Sequence, residues 1–210
     1  LGNVPFGEFK VNDSRYNSQK FLIHDYFFAK ALDKARAGGV VMFITSKGTM
    51  DKASPEVRKY IAQRAELLGA IRLPDNTFKA NAGTEVTSDI IILQKRDQII
   101  ETEPEWVHLD TDENGITMNR YFVSHPEMIL GEMKMESTRF GMDSACKAYE
   151  DISLSELLSE AVQQIDGEIP EYESEIDQIS DEQDTPIPAD PNVRNFSFAL
   201  VEGKIYFREN

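Results

Sequence analysis

The stretch Gly38-Gly39-Val40-Val41-Met42-Phe43-Ile44-Thr45-Ser46 decides the fold class. Two glycines end one pattern, and a run of branched apolar residues begins another. The pattern before them, residues 19–37, places Phe21, Leu22, Tyr26, Phe28, Ala29 and Leu32 on one face at helical spacing. Glycine is the usual stop for such a helix. The run after them reads as a strand buried on both faces. Working outward, Ser54-Pro55 opens a second helical pattern that continues to Leu68, with Ser as cap and Pro in the first turn. Gly69 is its expected stop, and residues 70–73 are a second short strand. Pro74-Asp75-Asn76 is a turn signal. Residues 79–87 read as a loop, and residues 88–94 (S-D-I-I-I-L-Q) as a third buried strand. Strand, helix and strand at these lengths make crossover units of an open α/β sheet. Functional loops in such sheets stand at the carboxyl ends of the strands.

Beyond residue 97 the character changes. A connector with an edge strand near residues 105–109 is expected, then loop and short helix over 119–133. Ser153 and Glu156 form a capping box, and Leu154, Leu157, Leu158, Ala161, Val162 and Ile165 make an amphipathic stripe. Residues 167–189 are acidic and contain proline, as a mobile linker does. Alternation over 195–201 and 204–207 around Glu202-Gly203 signals a hairpin. The expected division is therefore 1–97, 98–166, 167–192 and 193–210.

The chain has 210 residues and a formal net charge of -15. That charge is uneven. Residues 1–100 are net +4, whereas residues 101–210 are net -19. Between Ala148 and Val193 there is no Lys or Arg, so that stretch repels a phosphate backbone. A solvated linker or surface helix is the ordinary reading of such a run, and a DNA-mimicking segment the sharper one. No apolar run approaches the roughly 18–20 residues of a membrane span, and no signal peptide is visible. Cys146, the single cysteine, excludes an internal disulfide and a multi-cysteine zinc site. A reducing cytoplasm is the expected setting. The chain opens at Leu1 inside mid-domain sequence, so a fragment of a longer chain is expected.

The tetrapeptide Asn3-Val4-Pro5-Phe6 carries the chemistry. In its context the order of elements resembles the catalytic half of the amino-group DNA methyltransferases that modify adenine at its exocyclic nitrogen. Their motif is Asn-Pro-Pro-Tyr or Asn-Pro-Pro-Phe at the end of a sheet strand. F-I-T-S-K-G-T-M-D-K (43–52), G-A-I-R-L-P (69–74), N-A-G-T-E-V-T-S-D-I-I (81–91), Y-F-V-S-H-P-E-M-I-L-G (121–131) and V-R-N-F-S-F (193–198) extend the likeness over nearly the whole chain. They resemble the very large proteins of bacterial mobile elements and phages that join an adenine-type methylase region to a Swi/Snf-type helicase region. The resemblance implies the C-terminal half of a Rossmann-like class I methyltransferase sheet with an acidic α+β extension, in a bacterial cytoplasm.

It also implies roles. The exocyclic amine of adenine is a poor nucleophile, because its lone pair is delocalised into the ring. The base must leave the stack to be methylated. Asn3 would accept a hydrogen bond from the amine and the Val4 carbonyl would accept the second. Pro5 would stiffen the turn, and Phe6 would stack on the base. Val4 stands where the family has its first proline; the carbonyl survives that change and the ring constraint does not. Ser46, Lys47, Lys79 and Asn81 are the candidate DNA contacts. S-adenosylmethionine is the implied donor, but its Gly-rich loop normally precedes the Asn-Pro-Pro motif and only Leu1 and Gly2 do so here. The fragment alone is expected to be inactive. No G-x-x-x-x-G-K-[ST] phosphate loop is present. DNA, the upstream methyltransferase half and the helicase region are the implied partners, with self-association through an open sheet edge. A non-catalytic reading keeps the fold as a DNA-docking or scaffolding surface for the helicase. His24, His108 and His125 are too scattered for a metal site.

Overall fold

A four-stranded sheet carries the candidate site in the computed structural model, which describes residues 1–5, 7–138, 141–169, 191–201 and 204–208. Its strands are β1 (Gly2–Asn3), β2 (Val40–Ser46), β3 (Ala65–Leu73) and β4 (Ser88–Lys95), in the spatial order β1-β2-β4-β3. β1 is parallel to β2, and β4 is antiparallel to both β2 and β3. β2 and β3 thus run the same way with β4 between them. The chain passes from β2 to β3 through α2 (Gly48–Asp51) and α3 (Glu56–Ala62), a connection long enough for parallel strands.

The third apolar run departs from the expected crossover pattern. Only α4 (Lys79–Ala82) lies between β3 and β4, and the Val86 N–H donates to the Asp75 carbonyl at 2.9 Å. That bond closes the connection onto its own start, so β4 returns antiparallel beside β3.

Two helix boundaries also differ from expectation. α1 spans Ile23–Lys34 rather than 19–37, because Asn17–Gln19 forms a 3-10 turn that Lys20 ends in the left-handed region, with φ of 55°. α3 begins at Glu56 without a side-chain cap bond from Ser54 and is over by Ala62. Gly69 is therefore not a helix stop but part of a bulge in β3, where the register shifts between Leu67 and Gly69. A Cβ there would meet the Ile165 side chain at 3.1 Å, so glycine lets the segment around Ile165 approach the strand.

Residues 101–165 close over this sheet. They form β5 (Leu109–Thr111) with β6 (Thr117–Asn119), α5 (Arg120–Ser124), the hairpin β7 (Glu132–Thr138) with β8 (Gly141–Lys147), and α6 (Leu154–Gln163). The capping box at Ser153 and Glu156 is formed, with the Glu156 N–H donating to Ser153 Oγ at 3.2 Å. Phe28, Ile71, Ile91 and Leu93 share one apolar core with Trp106, Phe122, Met128 and Leu130. Burying a side chain such as Phe122 stabilises by about 1.5–3 kcal/mol, so this segment is a structural part of the sheet's cover.

By backbone contacts the chain forms two compact units, 1–170 and 171–210. In the second, β9 (Ser197–Val201) pairs antiparallel with β10 (Lys204–Arg208), and Phe198 lies across from Phe207. Most of the acidic stretch, residues 170–190, lies outside the described residues. No described helix is long and apolar enough to cross a membrane.

Candidate functional site

Because β1, β2 and β3 share one direction, their carboxyl ends share one edge of the sheet. Asn3 pairs with Ile44, and Ser46 and Leu73 both pair with Ser88 at the start of β4. Asn3 closes β1 and is exposed. Val4 is buried, and its N–H donates to the Ile44 carbonyl at 3.1 Å. Pro5 is exposed, and Phe6 lies outside the described residues.

Just past this motif opens a cleft of about 470 Å³. Gly7, Glu8 and His24 form one wall. Ser46, Lys47, Asp51 and Lys52, from the end of β2 and α2, form the floor. Thr117, Asp143 and Ser144 of the extension complete its lining. Ser46 and Lys47 therefore meet the segment that follows the tetrapeptide. Lys79 and Asn81 do not line this cleft; both are exposed on α4, and Lys79 pairs with Glu85 at 2.5 Å.

Lys47 is already engaged. Its Nζ donates to Asp143 Oδ1 at 2.5 Å, to the Ser144 carbonyl at 2.6 Å and to Ser144 Oγ at 2.9 Å. Arg58 of α3 is buried and donates to the Val107 and Lys52 carbonyls, each at 2.7 Å. Its guanidinium ties α3 to the extension and is no surface for DNA.

Beneath the cleft lies a polar network that the motifs do not announce. Arg72 is fully buried in β3 and lies across from Asp89 of β4. Its Nε and Nη2 donate to the two Asp89 oxygens at 2.9 Å each. Nη2 also donates to Asp51 Oδ1 at 2.9 Å, and the ring of Phe122 lies 4.2 Å from the guanidinium carbon. Burial pulls the guanidinium's pKa down, but the Asp89 and Asp51 charges outweigh it and hold the group charged. Asp51 Oδ1 accepts a second bond from the Asn119 N–H at 2.9 Å. The cleft floor is thereby joined to the extension. The readable signal was a charged residue inside each of two apolar strands.

His24 and Asp25 stand at the head of α1. Among the described residues His24 Nδ1 and Asp25 Oδ1 have no hydrogen-bond partner, and Lys52 Nζ is 3.4 Å from Asp25 Oδ2. Burial lowers the His24 pKa, opposed by Asp25 and reinforced by Lys52. The unfolded chain takes up a proton near the ordinary imidazole value of about 6.5, whereas the folded chain resists it. Stability is therefore expected to fall as pH drops below that value, by up to about 1.4 kcal/mol per pH unit. Urea titrations at a series of pH values check this against His24→Gln, which should lack that component of the slope.

Cys146 is fully buried, and burial pushes its thiol up to about 12. It is structural, not nucleophilic. A thiol reagent at pH 8 is expected to label it at least about a hundredfold more slowly in the folded protein than in urea. Equal rates would show that the β8 strand opens readily. Among the described residues no group of His, Cys, Asp and Glu is arranged to hold a metal ion.

Against known proteins, the chain is 30% identical over 127 residues to "Defense against restriction protein B" of Escherichia phage P1. The matched residues are 59% of this chain but only 6% of that protein. No protein-family model matches the chain, and no solved structure matches it.

Proposed function

We propose that the carboxyl edge of the sheet receives an adenine turned out of a DNA duplex, and that this chain is the target-base half of an adenine-N6 methyltransferase with a Rossmann-like sheet. The observation that carries the reading is the position of Asn3: it ends a sheet strand, is exposed, and leads directly into the cleft. The motif requires an amide oxygen and a backbone carbonyl as acceptors for the two N–H bonds of the base amine. Asn3 supplies the first and Val4 the second.

Valine at position 4 has a compensation. Its N–H makes the ladder bond to Ile44 that a proline could not make. The rigidity lost with the ring is returned by the sheet. A base-modifying role also accords with the phage relative, whose name ties it to restriction. Restriction systems read base edges, and the adenine amine is a major-groove donor that an added methyl group changes.

The described residues do not provide a fit for S-adenosylmethionine. Gly38 and Gly39 lie between α1 and β2, at the end of the sheet opposite Asn3, and a Cβ on Gly39 would meet the Arg36 carbonyl at 3.0 Å. They form a turn, not a donor cradle. The chain's own contribution is to hold and orient the amine.

Duplexes of varied sequence in which 2-aminopurine stands next to an adenine test the reading, because extrusion of the adenine unstacks the probe and raises its fluorescence. The wild-type chain is expected to raise the signal of some duplexes. Asn3→Ala should abolish the rise while binding, read by anisotropy, stays within about threefold. Binding with no rise from any duplex would replace this reading with the docking-module one.

A further inference from the structure

Asp143 and Lys47 meet at the rim of the cleft, 96 residues apart in the chain. We propose that Lys47 marks a subsite for a phosphodiester group, and that Asp143 fills it from within the chain until nucleic acid displaces it. The proposal rests on the reading that a nucleic acid strand enters this cleft.

The Asp143 carboxylate sits as a bound oxyanion would. Its Oδ1 accepts from Lys47 Nζ at 2.5 Å and from the Ser144 N–H at 2.9 Å. An ammonium and a backbone amide together suit a phosphate oxygen as well as a carboxylate oxygen. The two partners differ in exposure: the Lys47 side chain is 18% exposed and that of Asp143 59%. The cation is thus held in the floor while the anion faces solvent. An ion pair with one partner this exposed is weak, and Lys47 Nζ keeps its bonds to the Ser144 carbonyl and Oγ when Asp143 leaves, so this occupant exchanges without unseating the cation.

The hairpin is built to let Asp143 leave. Its root is fixed to the sheet edge: the Cys146 N–H donates to Thr87 Oγ1 at 2.9 Å, the Asp75 N–H to the Cys146 carbonyl at 2.8 Å, and Lys147 Nζ to Asp75 Oδ2 at 2.7 Å. Toward the far end, Ser137, Thr138, Gly141 and Met142 are all exposed. Asp143 lies where the anchored part gives way to the exposed part. Until it moves, its charge cancels that of Lys47, and Glu8 and Asp51 outnumber Lys52 among the remaining charges that line the cleft, so an incoming phosphate is opposed. The pair is therefore an autoinhibitory contact as well as a marker of the subsite.

The 2-aminopurine duplexes, titrated at several salt concentrations, test this in wild type, Asp143→Asn and Lys47→Gln. Asp143→Asn is expected to bind duplex about threefold to tenfold more tightly. Lys47→Gln should bind more weakly, with a salt dependence shallower by about one ion. Hydrogen exchange of residues 132–147 in wild type should quicken when duplex is added. Inorganic phosphate against chloride at equal ionic strength separates the sources: the same quickening with phosphate alone assigns the subsite to any phosphoryl anion, and quickening with duplex alone assigns it to the polymer. Unchanged affinity in Asp143→Asn, or an unchanged salt slope in Lys47→Gln, would overturn the proposal even where the fluorescence rise stands. A changed slope with no fluorescence rise would instead remove the base-extrusion reading and leave this one in place. Failure of all three proteins to bind any duplex overturns both.

Discussion

Arg72→Met is expected to lower the stability of the 1–170 unit by about 3–5 kcal/mol, the usual cost of removing one partner from a buried ion pair. Methionine fills most of the volume but leaves the Asp89 carboxylate fully buried with both oxygens stripped of donors. It also frees Asp51, whose position in the cleft floor depends on Arg72 and the Asn119 amide. Urea denaturation followed by tryptophan fluorescence measures the loss, since Trp106 is buried in the same core. Arg72→Met combined with Asp89→Leu should recover most of it, because an apolar pair needs no desolvation. A loss below about 1 kcal/mol in the single variant would mean that water reaches the network. The double variant separates stability from function: if the fold recovers while base extrusion does not, the guanidinium is needed to aim Asp51.

How much of this was legible depended on whether a residue's partner lay nearby in sequence. β2 and β4 were readable because four or five apolar residues in a row, mostly branched, have few other uses. The capping box at Ser153 was readable because its two members are three residues apart. Gly69 misled because glycine after a helical pattern ordinarily stops a helix. Here the missing Cβ serves an approach by Ile165, almost a hundred residues later. The β7–β8 hairpin was missed because the alternation of Met133, Lys134, Met135 and Glu136 is only four residues long, burial does not follow it, and most of the hairpin is exposed. In the candidate site, what could be read was position: Asn3 at the end of a strand and Lys47 just after one. That Lys47 would be held by Asp143 was not, since nothing local links residue 47 to residue 143. Arg72 and Asp89 are each a lone charge in an otherwise apolar stretch of strand, with no partner nearby in sequence. They become one feature only when β4 returns antiparallel and sets them side by side.

Asn119 presents the same difficulty and a comparably large expected effect. It is fully buried, and each of its polar groups is engaged. Nδ2 donates to the Met50 carbonyl at 2.9 Å and to the Trp106 carbonyl at 2.8 Å, while Oδ1 accepts from the Tyr121 N–H at 3.0 Å as the cap of α5. One side chain thus joins α2 in the cleft floor, the 3-10 turn at Glu105–Val107 and the start of α5. Asn119→Ala leaves two buried carbonyls and one amide without partners. At about 1–3 kcal/mol for each unsatisfied group, partly relieved by water entering the space, a loss of about 3–4 kcal/mol is expected. Asn119→Asp should be worse despite keeping the cap, because a carboxylate cannot donate to the carbonyls and would stand near Asp51. The damage should also be local in a particular way. Hydrogen exchange at residues 48–51 is expected to rise in Asn119→Ala, while the amides of α6, which Asn119 does not touch, stay protected. Equal loss of protection in both places would mean that the residue only stabilises the whole unit. A rise confined to α2 would show that the extension holds the floor of the cleft in place, and that its rigidity at Asp51 and Lys47 is set from outside the sheet.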